Sequence, residues 1–428
     1  MKIIFFLIKR FKNLMKVEKV EETFKSLEMI KNQKKNIIKK MSELIQSNIK
    51  NVSKEKKENQ NSYVEKLYSK RRHLSTISFQ IPKEENLISH FKKILSEIDD
   101  INFNIFEFKE KLNLKNSSLM YVISNYIFEK LNLFTIISKE NLKSFTKKVD
   151  SLYNLNPYHN SIHACDVFQT CYIIISKGNL IEKKIFNEID VSTLLIATLI
   201  HDICHPGLSN NYQINKKTDI AKIYNNISPL ENMHFNKGIE VIINENIFLN
   251  NNNPLFNVIK ERMLKGILFT DGSKHNNLIK EMENLIEKVK LNSNNNNNLI
   301  DKFSEFFNDE KINEKEIFDC QQILYNFIIH SSDISNPSKK FDIYNKWTQY
   351  ITTEFFNEGD LEKKENLPIN FLCDRNNTNI PKSQIGFINF VVLPNFKLLY
   401  SIFPQFKIYV DNCENNIRIW NEKLNEEK

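Results

Sequence analysis

Apolar residues recur at helical spacing through most of the chain after residue 86. Strict alternation of apolar and polar residues, the mark of a half-buried strand, is scarce. Prolines fall between the apolar stretches or at their starts, where helix boundaries are expected. The pattern predicts an all-α fold in which residues 87–428 form one compact domain. The clearest helical stretches are Leu119–Leu131, Val191–Leu199, Leu255–Phe269, Cys320–Ile329 and Ile343–Phe356.

Residues 1–86 have a different character, being polar and rich in lysine. A heptad pattern begins there, but Lys31 and Lys34 interrupt its apolar seam, which argues against a sustained coiled coil. Much of the net charge of +8 lies in this region. It lacks the alternation of aromatic and basic residues that binds single-stranded nucleic acid. We therefore predict a basic, partly helical extension or linker and no nucleic-acid partner.

The amino terminus and the cysteines indicate the cellular compartment of the protein. The first apolar run ends at Lys9 and is far shorter than the ~20 residues of a spanning helix. No small-residue cleavage site follows it, so a secretory signal is not expected. The six cysteines form no C-x-x-C pair, as in proteins of a reducing compartment. We expect a cytoplasmic protein; membrane association through the amino terminus and homodimerisation remain open.

The segment from His201 to His205 contains two histidines and an aspartate. His201 and Asp202 are adjacent, and Pro206 favours a helix end there, where both side chains can approach one ion. His205 follows His201 by four residues and would share its face if the helical turn continued. Histidine is the commonest metal ligand, and aspartate adds a hard oxygen. The segment therefore predicts a metal site.

Two further segments extend this pattern. His159 and His163 are also four residues apart, and Asp333 follows an apolar helical stretch. A carboxylate at the end of a buried helix is well placed to complete a ligand set. His163 and Asp333 together with His201 and Asp202 would offer two nitrogens and two oxygens, leaving positions for water as a catalytic ion requires. We therefore predict a metal-dependent hydrolase.

At these residues the chain resembles the class I 3′,5′-cyclic nucleotide phosphodiesterases, in particular protozoan-type members. The resemblance extends over roughly residues 100–410 and implies a compact, all-α bundle of the HD superfamily with a bimetal site. Order and approximate spacing both match, which is more specific than a single His-Asp pair. The matching segments are Tyr158–Asp166, His201–Tyr212, Leu230–His234, Thr270–Asp271, Ser332–Pro337 and Ser383–Phe387.

The resemblance implies which residues bind the metals. His163, His201, Asp202 and Asp333 match the ligands of a tightly held ion, usually Zn²⁺. Asp202 also matches the bridge to a second ion, usually Mg²⁺ or Mn²⁺. Two such ions activate a shared hydroxide and neutralise the charge of the attacked phosphate.

Other matched positions surround the metals. His159 corresponds to the general acid that protonates the departing 3′ oxygen, a role suited to an imidazole. His205, Glu231 and Thr270 correspond to residues that hydrogen-bond the waters of the second ion. His234 corresponds to a residue near the metal pocket. The resemblance thus makes His159, Asp202 and Asp333 the residues at the centre of catalysis.

A further group corresponds to the substrate pocket. Gln384 matches the purine-selective glutamine, while Phe387 and Ile351 match the residues on the two faces of the base. Tyr158 and Asn336 are also expected to contact substrate. Asn336 resembles several cAMP-preferring members, but protozoan-type members break that correlation. The base is left open, with a slight preference for cGMP.

The chain departs from the family pattern at a few positions. Met233 stands where many members carry histidine, and no tryptophan follows Leu393-Pro394-Asn395. None of these changes removes a predicted ligand or the general acid. We predict hydrolysis of a cyclic nucleotide to its 5′-monophosphate. The alternatives are another HD-type metal phosphohydrolase, which would lack a purine clamp, and a cyclic-nucleotide sensor that binds without turnover.

Overall fold

The computed structural model describes residues 92–113, 118–248, 254–292 and 298–426. These residues form α-helices connected by turns, loops, short 3-10 segments and one π-helical segment, and they contain no strand, which confirms the all-α prediction. The helices are α1 Ile105–Leu112, α2 Leu119–Lys130, α3 Lys139–Leu152, α4 Ser161–Lys177, α5 Glu188–Ile200, α6 Asn210–Lys216, α7 Asp219–Ile223, α8 Pro229–Asn244, α9 Pro254–Leu268, α10 His275–Leu291, α11 Leu299–Asn308, α12 Glu314–Asp333, α13 Phe341–Lys364, α14 Ile380–Phe387, α15 Leu393–Ile402 and α16 Lys407–Glu426.

Each of the five apolar stretches lies within one of these helices or extends past its end by one residue: α2, α5, α9, α12 and α13. Asparagine supplies many of the helix starts. The side chains of Asn104, Asn160, Asn187, Asn313 and Asn379 accept hydrogen bonds from the first backbone N–H groups of the helices that follow them. Such a cap typically stabilises a helix by about 1 kcal/mol. The abundant asparagine therefore helps to define where helices begin.

The centre of the fold is built on α4, α5 and α12. From His163 to Ile175 every residue of α4 is buried, and from Val191 to Ile200 so is every residue of α5. α4 packs against α5, α12 and α2, while α9 packs against α5, α8 and α12. Since helices so apolar on all sides must lie inside the protein, the start of α4 and the ends of α5 and α12 are held firmly in the interior.

The loop between α13 and α14 lies directly on α13. A Cβ at Gly359 would sit 2.0 Å from the carbonyl oxygen of Cys373. The backbone of Asn370 donates to Glu362 Oε2 over 2.9 Å, and its side-chain amide donates to Glu358 Oε1 over 2.6 Å. The absence of a side chain at Gly359 therefore permits this loop to bind the buried carboxylates of the helix.

Some sequence predictions concern residues outside the described ranges. The extension 1–86, its interrupted heptads and the domain boundary at residue 87 all lie there, so they stay predictions. A cytoplasmic location, membrane association and homodimerisation also stay predictions. One described helical run, Ile380–Ile402, is long and apolar enough to cross a membrane. It packs along α16, and 33% of its apolar window is buried.

Candidate metal centre and active site

Four of the predicted ligands meet in one buried cluster. His163 lies in the first turn of α4, His201 caps the end of α5, Asp202 follows it, and Asp333 is the last residue of α12. Asp333 Oδ1 lies 3.0 Å from His163 Nε2 and 3.2 Å from His201 Nε2. Asp202 Oδ2 lies 3.2 Å from His201 Nε2 and 3.6 Å from His163 Nε2. Two imidazole nitrogens and two carboxylates thus face a common point.

The hydrogen bonds of His201 indicate that this cluster suits a cation. His201 Nδ1 lies 2.8 Å from the carbonyl oxygen of Thr198 and must donate to it, because a carbonyl only accepts. In a neutral ring, Nε2 then directs a lone pair toward the oxygens of Asp202 and Asp333. Such an arrangement needs a positive charge between the groups. The set of nitrogen and oxygen donors fits a divalent metal ion.

The pKa directions describe the same cluster with the positive charge on His201 instead of on a metal ion. Although burial alone would raise it, His201 holds the pKa of Asp202 well below its usual range. His201 also lowers the pKa of Asp333 against the effect of burial. In turn, the two carboxylates overcome the effect of burial and raise the pKa of His201 well above its ordinary value. Both carboxylates are therefore ionised near neutral pH and available as ligands.

The backbone at this segment differs from the expected helical turn. The helix α5 ends at Ile200, and the chain turns back through Cys204, whose φ of 62° is left-handed. The backbone N–H of His205 donates to the carbonyl of Asp202 over 3.0 Å and closes the turn. The helical turn that would give His201 and His205 a shared face therefore does not continue. The turn instead places His205 within ligand distance of Asp202 and His234.

A group of three residues adjoins this cluster of four and shares Asp202 with it. Asp202, His205 and His234 offer ligand atoms within 4.8 Å of one another. His234 Nδ1 donates to the carbonyl of Ile203 over 2.7 Å, which leaves its Nε2 facing Asp202 Oδ1 at 3.8 Å. His205 Nδ1 accepts from the backbone of Gly207 over 3.0 Å. His234 therefore lies closer to Asp202 than the sequence suggested.

His159 lies in the loop before α4, so it does not share a helical face with His163 as its spacing suggested. Its Nδ1 makes a short contact with Glu354 Oε1. Glu354 Oε2 accepts from the backbone N–H groups of Tyr158, over 2.9 Å, and of His159, over 3.1 Å. Although burial acts against it, Glu354 and Asp202 raise the pKa of His159 to about 9.

A second imidazole, that of His205, packs against the face of the His159 ring. The two rings stack with centroids 3.9 Å apart and planes inclined by 22°. With Nδ1 occupied by Glu354, Nε2 is the nitrogen left to act on a substrate. His159 is thus a cation at neutral pH and has one available proton.

Glu231 and Thr270, the other residues predicted to lie near the metals, form different hydrogen bonds. Glu231 accepts two hydrogen bonds from the amide of Asn210, over 2.9 and 3.1 Å, and burial raises its pKa to about 7. Glu231 thus lies beside the segment that follows the metal ligands. The hydroxyl of Thr270 donates to the carbonyl of Ile267 over 2.8 Å. The roles assigned to Glu231 and Thr270 stay predictions.

The predicted purine residues lie on two helices, α13 and α14. Gln384 and Phe387 are both on α14, and 39% of Phe387 is exposed. The hydroxyl of Tyr344, from α13, lies 2.5 Å from Gln384 Oε1. Ile351 is half-buried on α13, one turn before Glu354. The contacts of Gln384 thus include a partner that the sequence analysis did not identify.

Asn336 belongs to a separate buried network. The hydroxyl of Tyr158 donates to Asn336 Oδ1 over 2.6 Å, and Asn336 Nδ2 donates to Asp166 Oδ2 over 3.2 Å. Asp166 also forms an ion pair with Lys339. Two of the five predicted substrate residues, Tyr158 and Asn336, are therefore in direct contact.

Comparison with known proteins identifies the family. The family model described as 3′5′-cyclic nucleotide phosphodiesterase matches residues 158–413, which is more than half of the chain and includes every predicted site residue. The chain belongs to this family. The resemblance derived from the motif series is thereby confirmed.

Relatives within the phosphodiesterase family include enzymes named for cyclic AMP. The chain is 30% identical over 354 residues to 3′,5′-cyclic-AMP phosphodiesterase 4C of Rattus norvegicus, a match that covers 81% of the chain and 62% of the relative. It is 29% identical over 350 residues to isoform F of the 3′,5′-cyclic-AMP phosphodiesterase of Drosophila melanogaster, covering 80% and 49%. The chain thus spans less than two thirds of the length of these curated relatives.

Solved structures of phosphodiesterase domains also match. The phosphodiesterase domain of the rhodopsin phosphodiesterase from Salpingoeca rosetta superposes with a TM-score of 0.65 at 27% identity. The match covers 79% of this chain and 95% of that domain. The all-α architecture of the described residues is therefore that of a phosphodiesterase catalytic domain.

Three residues that contact predicted or motif residues were not identified from the sequence: Glu354, Tyr344 and Lys339. Each is far along the chain from the residue that it contacts. Glu354 is 195 positions from His159, Lys339 is 173 positions from Asp166, and Tyr344 is 40 positions from Gln384. Nothing in the periodicity of α13 distinguishes a carboxylate that faces an imidazole from one that faces water. Only packing brings these residues to the site.

Proposed function

We propose that the chain hydrolyses a 3′,5′-cyclic nucleotide to the 5′-monophosphate. The observation that carries the proposal is the pair of buried His/Asp groups that share Asp202. His163, His201, Asp202 and Asp333 would hold Zn²⁺, and Asp202 would also face the second site, for Mg²⁺ or Mn²⁺. When bound, the two ions lower the pKa of a water and neutralise charge on the phosphate.

His159 supplies the proton in this proposal. Cleavage of the 3′ phosphoester leaves an alkoxide, which must be protonated as it departs. With a pKa of about 9, His159 carries a proton at neutral pH, and Glu354 holds its Nδ1 so that Nε2–H points away from the carboxylate. Such a donor typically contributes about 10²–10⁴-fold to the rate.

The base would be bound between Phe387 and Ile351, with its edge against Gln384. The hydroxyl of Tyr344 can donate or accept, so it can hold either orientation of the Gln384 amide and does not select a purine alone. The cyclic-AMP names of the relatives favour cAMP, whereas the sequence alone gives a slight preference for cGMP. We therefore propose cAMP as the first substrate to test and cGMP as its competitor.

A hydrolysis assay tests the proposal directly. Purified protein is incubated with cAMP or cGMP and Mn²⁺ or Mg²⁺, with and without a chelator, and the products are identified by chromatography. We expect the 5′-monophosphate, formed only when metal is available. Binding of cyclic nucleotide without any metal-dependent turnover would instead indicate a sensor.

Two variants separate this function from that of another HD-type phosphohydrolase. Phe387→Ala should raise KM for the cyclic nucleotide about tenfold or more, because it removes one face of the base site. Phe390→Ala is the matched control, since Phe390 is 80% exposed on the same helical run. Equal KM values for both variants would argue against a purine clamp at Phe387.

A further inference from the structure

Three buried glutamates lie four positions apart on one face of α13: Glu354, Glu358 and Glu362. Their exposed fractions are 3%, 2% and 0%. Glu354 accepts from the backbone N–H of His159, and Glu362 accepts from the backbone N–H of Asn370 in the loop after the helix. Glu358 lies between these two contacts. Its carboxylate faces the segment that follows the metal ligands.

Glu358 holds the start of α6 through Ser209. Glu358 Oε2 accepts from the backbone N–H of Ser209, and Glu358 Oε1 accepts from the Ser209 hydroxyl over 2.6 Å. The same hydroxyl accepts from the backbone N–H of Tyr212 over 3.2 Å and so caps α6. Two hydrogen bonds from one residue to a carboxylate fix both its position and its orientation. The place where α6 begins is therefore determined by Glu358.

Asn210, the first residue of α6, in turn holds the start of α8. Its Oδ1 accepts from the backbone N–H of Leu230 over 3.0 Å, and its Nδ2 donates to both oxygens of Glu231 over 2.9 and 3.1 Å. The first N–H groups of a helix have no partner within the helix itself. Ser228, just before α8, donates its hydroxyl to Asp271 and forms no side-chain cap among the described residues. The cap of α8 is therefore supplied by Asn210, from a different helix.

The helix α8 brings a ligand atom to the second cation site. His234 lies on α8, and together with Asp202 and His205 it offers ligand atoms within 4.8 Å of one another. Glu231, which Asn210 binds, lies one helical turn before His234. Groups that bind a ligand must be held within about 0.5 Å of their working positions. A displacement of the start of α8 would therefore move His234 relative to Asp202.

We infer that Glu358 is a positioning residue for the second cation site. It acts through Ser209 and Asn210, which together determine where α8 begins. The inference deepens the proposed function, on which the assignment of a second cation rests. Loss of Glu358 should therefore weaken binding of the second ion. It should leave intact the group of four residues that would hold the first.

The test measures Mn²⁺ binding directly. Protein loaded with one equivalent of Zn²⁺ is titrated with Mn²⁺, and free Mn²⁺ is followed by its EPR signal. In Glu358→Ala we expect the Kd for Mn²⁺ to rise about tenfold, the lower end of the range for residues that hold metal-binding groups in place. The zinc content should not change. A Kd equal to that of the wild type would overturn the inference.

Glu362→Ala is the matched control. It truncates the same side chain on the same face of α13, one turn further on, at a position that is equally buried. Glu362 binds Asn370, whereas Glu358 binds Ser209. We expect the Kd for Mn²⁺ in Glu362→Ala to stay close to that of the wild type. An equal rise in both variants would reflect general loosening of α13 and contradict the role of Glu358.

Glu358→Gln separates hydrogen bonding from charge. The new carbonyl can accept from the backbone N–H of Ser209, and the new NH₂ group can donate to the Ser209 hydroxyl. The start of α6 thus keeps its partner while the negative charge is lost. We expect Glu358→Gln to bind Mn²⁺ nearly as tightly as the wild type. A rise in Kd as large as in Glu358→Ala would assign the effect to charge and overturn the positioning role.

Asn210→Ala tests the same chain of contacts if Glu358→Ala does not fold. Asn210 is only half-buried, so its truncation leaves a smaller cavity. The Kd for Mn²⁺ should again rise about tenfold. Asn236→Ala, which truncates an exposed asparagine of α8, is the control and should leave the Kd unchanged. Equal Kd values in Asn210→Ala and Asn236→Ala would overturn the inference.

The double variant Glu358→Ala/Asn210→Ala shows whether the two residues act in series. Residues that act through one chain of contacts are coupled, so their separate losses do not multiply. We expect the Kd of the double variant to be close to that of the weaker-binding single variant. A Kd raised by the product of the two single factors would show independent effects and overturn the inference.

Metal binding and hydrolysis are separate readouts, so the inference and the proposed function can fail separately. If the wild type hydrolyses cyclic nucleotide and Glu358→Ala binds Mn²⁺ as the wild type does, the inference fails and the function stands. If the wild type binds Mn²⁺ but hydrolyses neither nucleotide, the function fails and the comparison of Kd values alone decides the inference. If the zinc-loaded wild type binds no Mn²⁺, the inference fails.

Discussion

Replacing Glu354 by glutamine should convert His159 from a cation to a neutral ring. The carbonyl of the new side chain can still accept from the backbone N–H groups of Tyr158 and His159, which Glu354 Oε2 does now. Its NH₂ group would then face His159 Nδ1 and donate to it. Since a nitrogen that accepts carries no proton, protonating His159 at both nitrogens would break this hydrogen bond.

The size of the effect follows from the pKa of His159. That pKa is raised from 6.5 to about 9 even though burial acts to lower it, and Glu354 is the largest contributor to the rise. The other contributors include Asp202 and Asp333, whose charges bound cations would offset. We therefore expect Glu354→Gln to return the pKa of His159 toward its ordinary value of 6.5. At pH 8 the protonated fraction of His159, and with it kcat/KM, should fall by up to about 30-fold, the ratio expected if the pKa drops from about 9 to 6.5.

The pH dependence gives the assay. Activity that needs protonated His159 is lost as the pH rises through its pKa, so the alkaline limb of kcat/KM should lie at a lower pH in Glu354→Gln than in the wild type. Metal content, measured by elemental analysis, should not change. Glu362→Gln is the control, because Glu362 is a buried carboxylate of the same helix that binds Asn370 instead. An alkaline limb that does not move in Glu354→Gln would refute the assignment of His159 as a cationic acid held by Glu354.

Three further outcomes follow from the site and the fold. Asp202→Asn should remove one of two bound ions and most of the turnover, and near-normal turnover with two ions present would reject the shared-ligand arrangement. A chelator should abolish hydrolysis, and added Mn²⁺ should restore it; activity that persists after verified metal removal would contradict the proposal. Gly359→Ala, whose Cβ would meet the Cys373 carbonyl at 2.0 Å, should destabilise the protein by about 1–3 kcal/mol in denaturant unfolding. Gly272→Ala, with no heavy atom within 4 Å of its Cβ, should change stability little, and equal losses in the two variants would contradict the steric explanation.

The helices were predictable because their signal is local. The apolar stretch Leu255–Phe269, for example, records the buried face of α9 in consecutive residues. The convergence of His201 and Asp333 was also predictable, since both lie at the ends of apolar helices. Motif order then supplied the roles that periodicity alone could not.

The remaining features depend on contacts between distant residues or on the backbone itself. The chain has 52 acidic residues, and nothing in the sequence distinguishes Glu354, the one that faces His159. The left-handed backbone at Cys204 was equally hidden, because cysteine does not favour that conformation. For this reason the helical face that His201 and His205 would have shared does not form, although both residues lie in buried groups that contain Asp202.

The separation of the ligands along the chain constrains how the protein is made. His163 and Asp333 are 170 positions apart, and His159 acquires its partner Glu354 only 195 positions later. During synthesis the first histidines therefore emerge long before the residues that complete their cluster. We expect an ion to be captured stably only after α12 has left the ribosome and docked against α4. Loading of metal is thus a late event in biogenesis, and chains truncated before residue 333 should leave the ribosome without it.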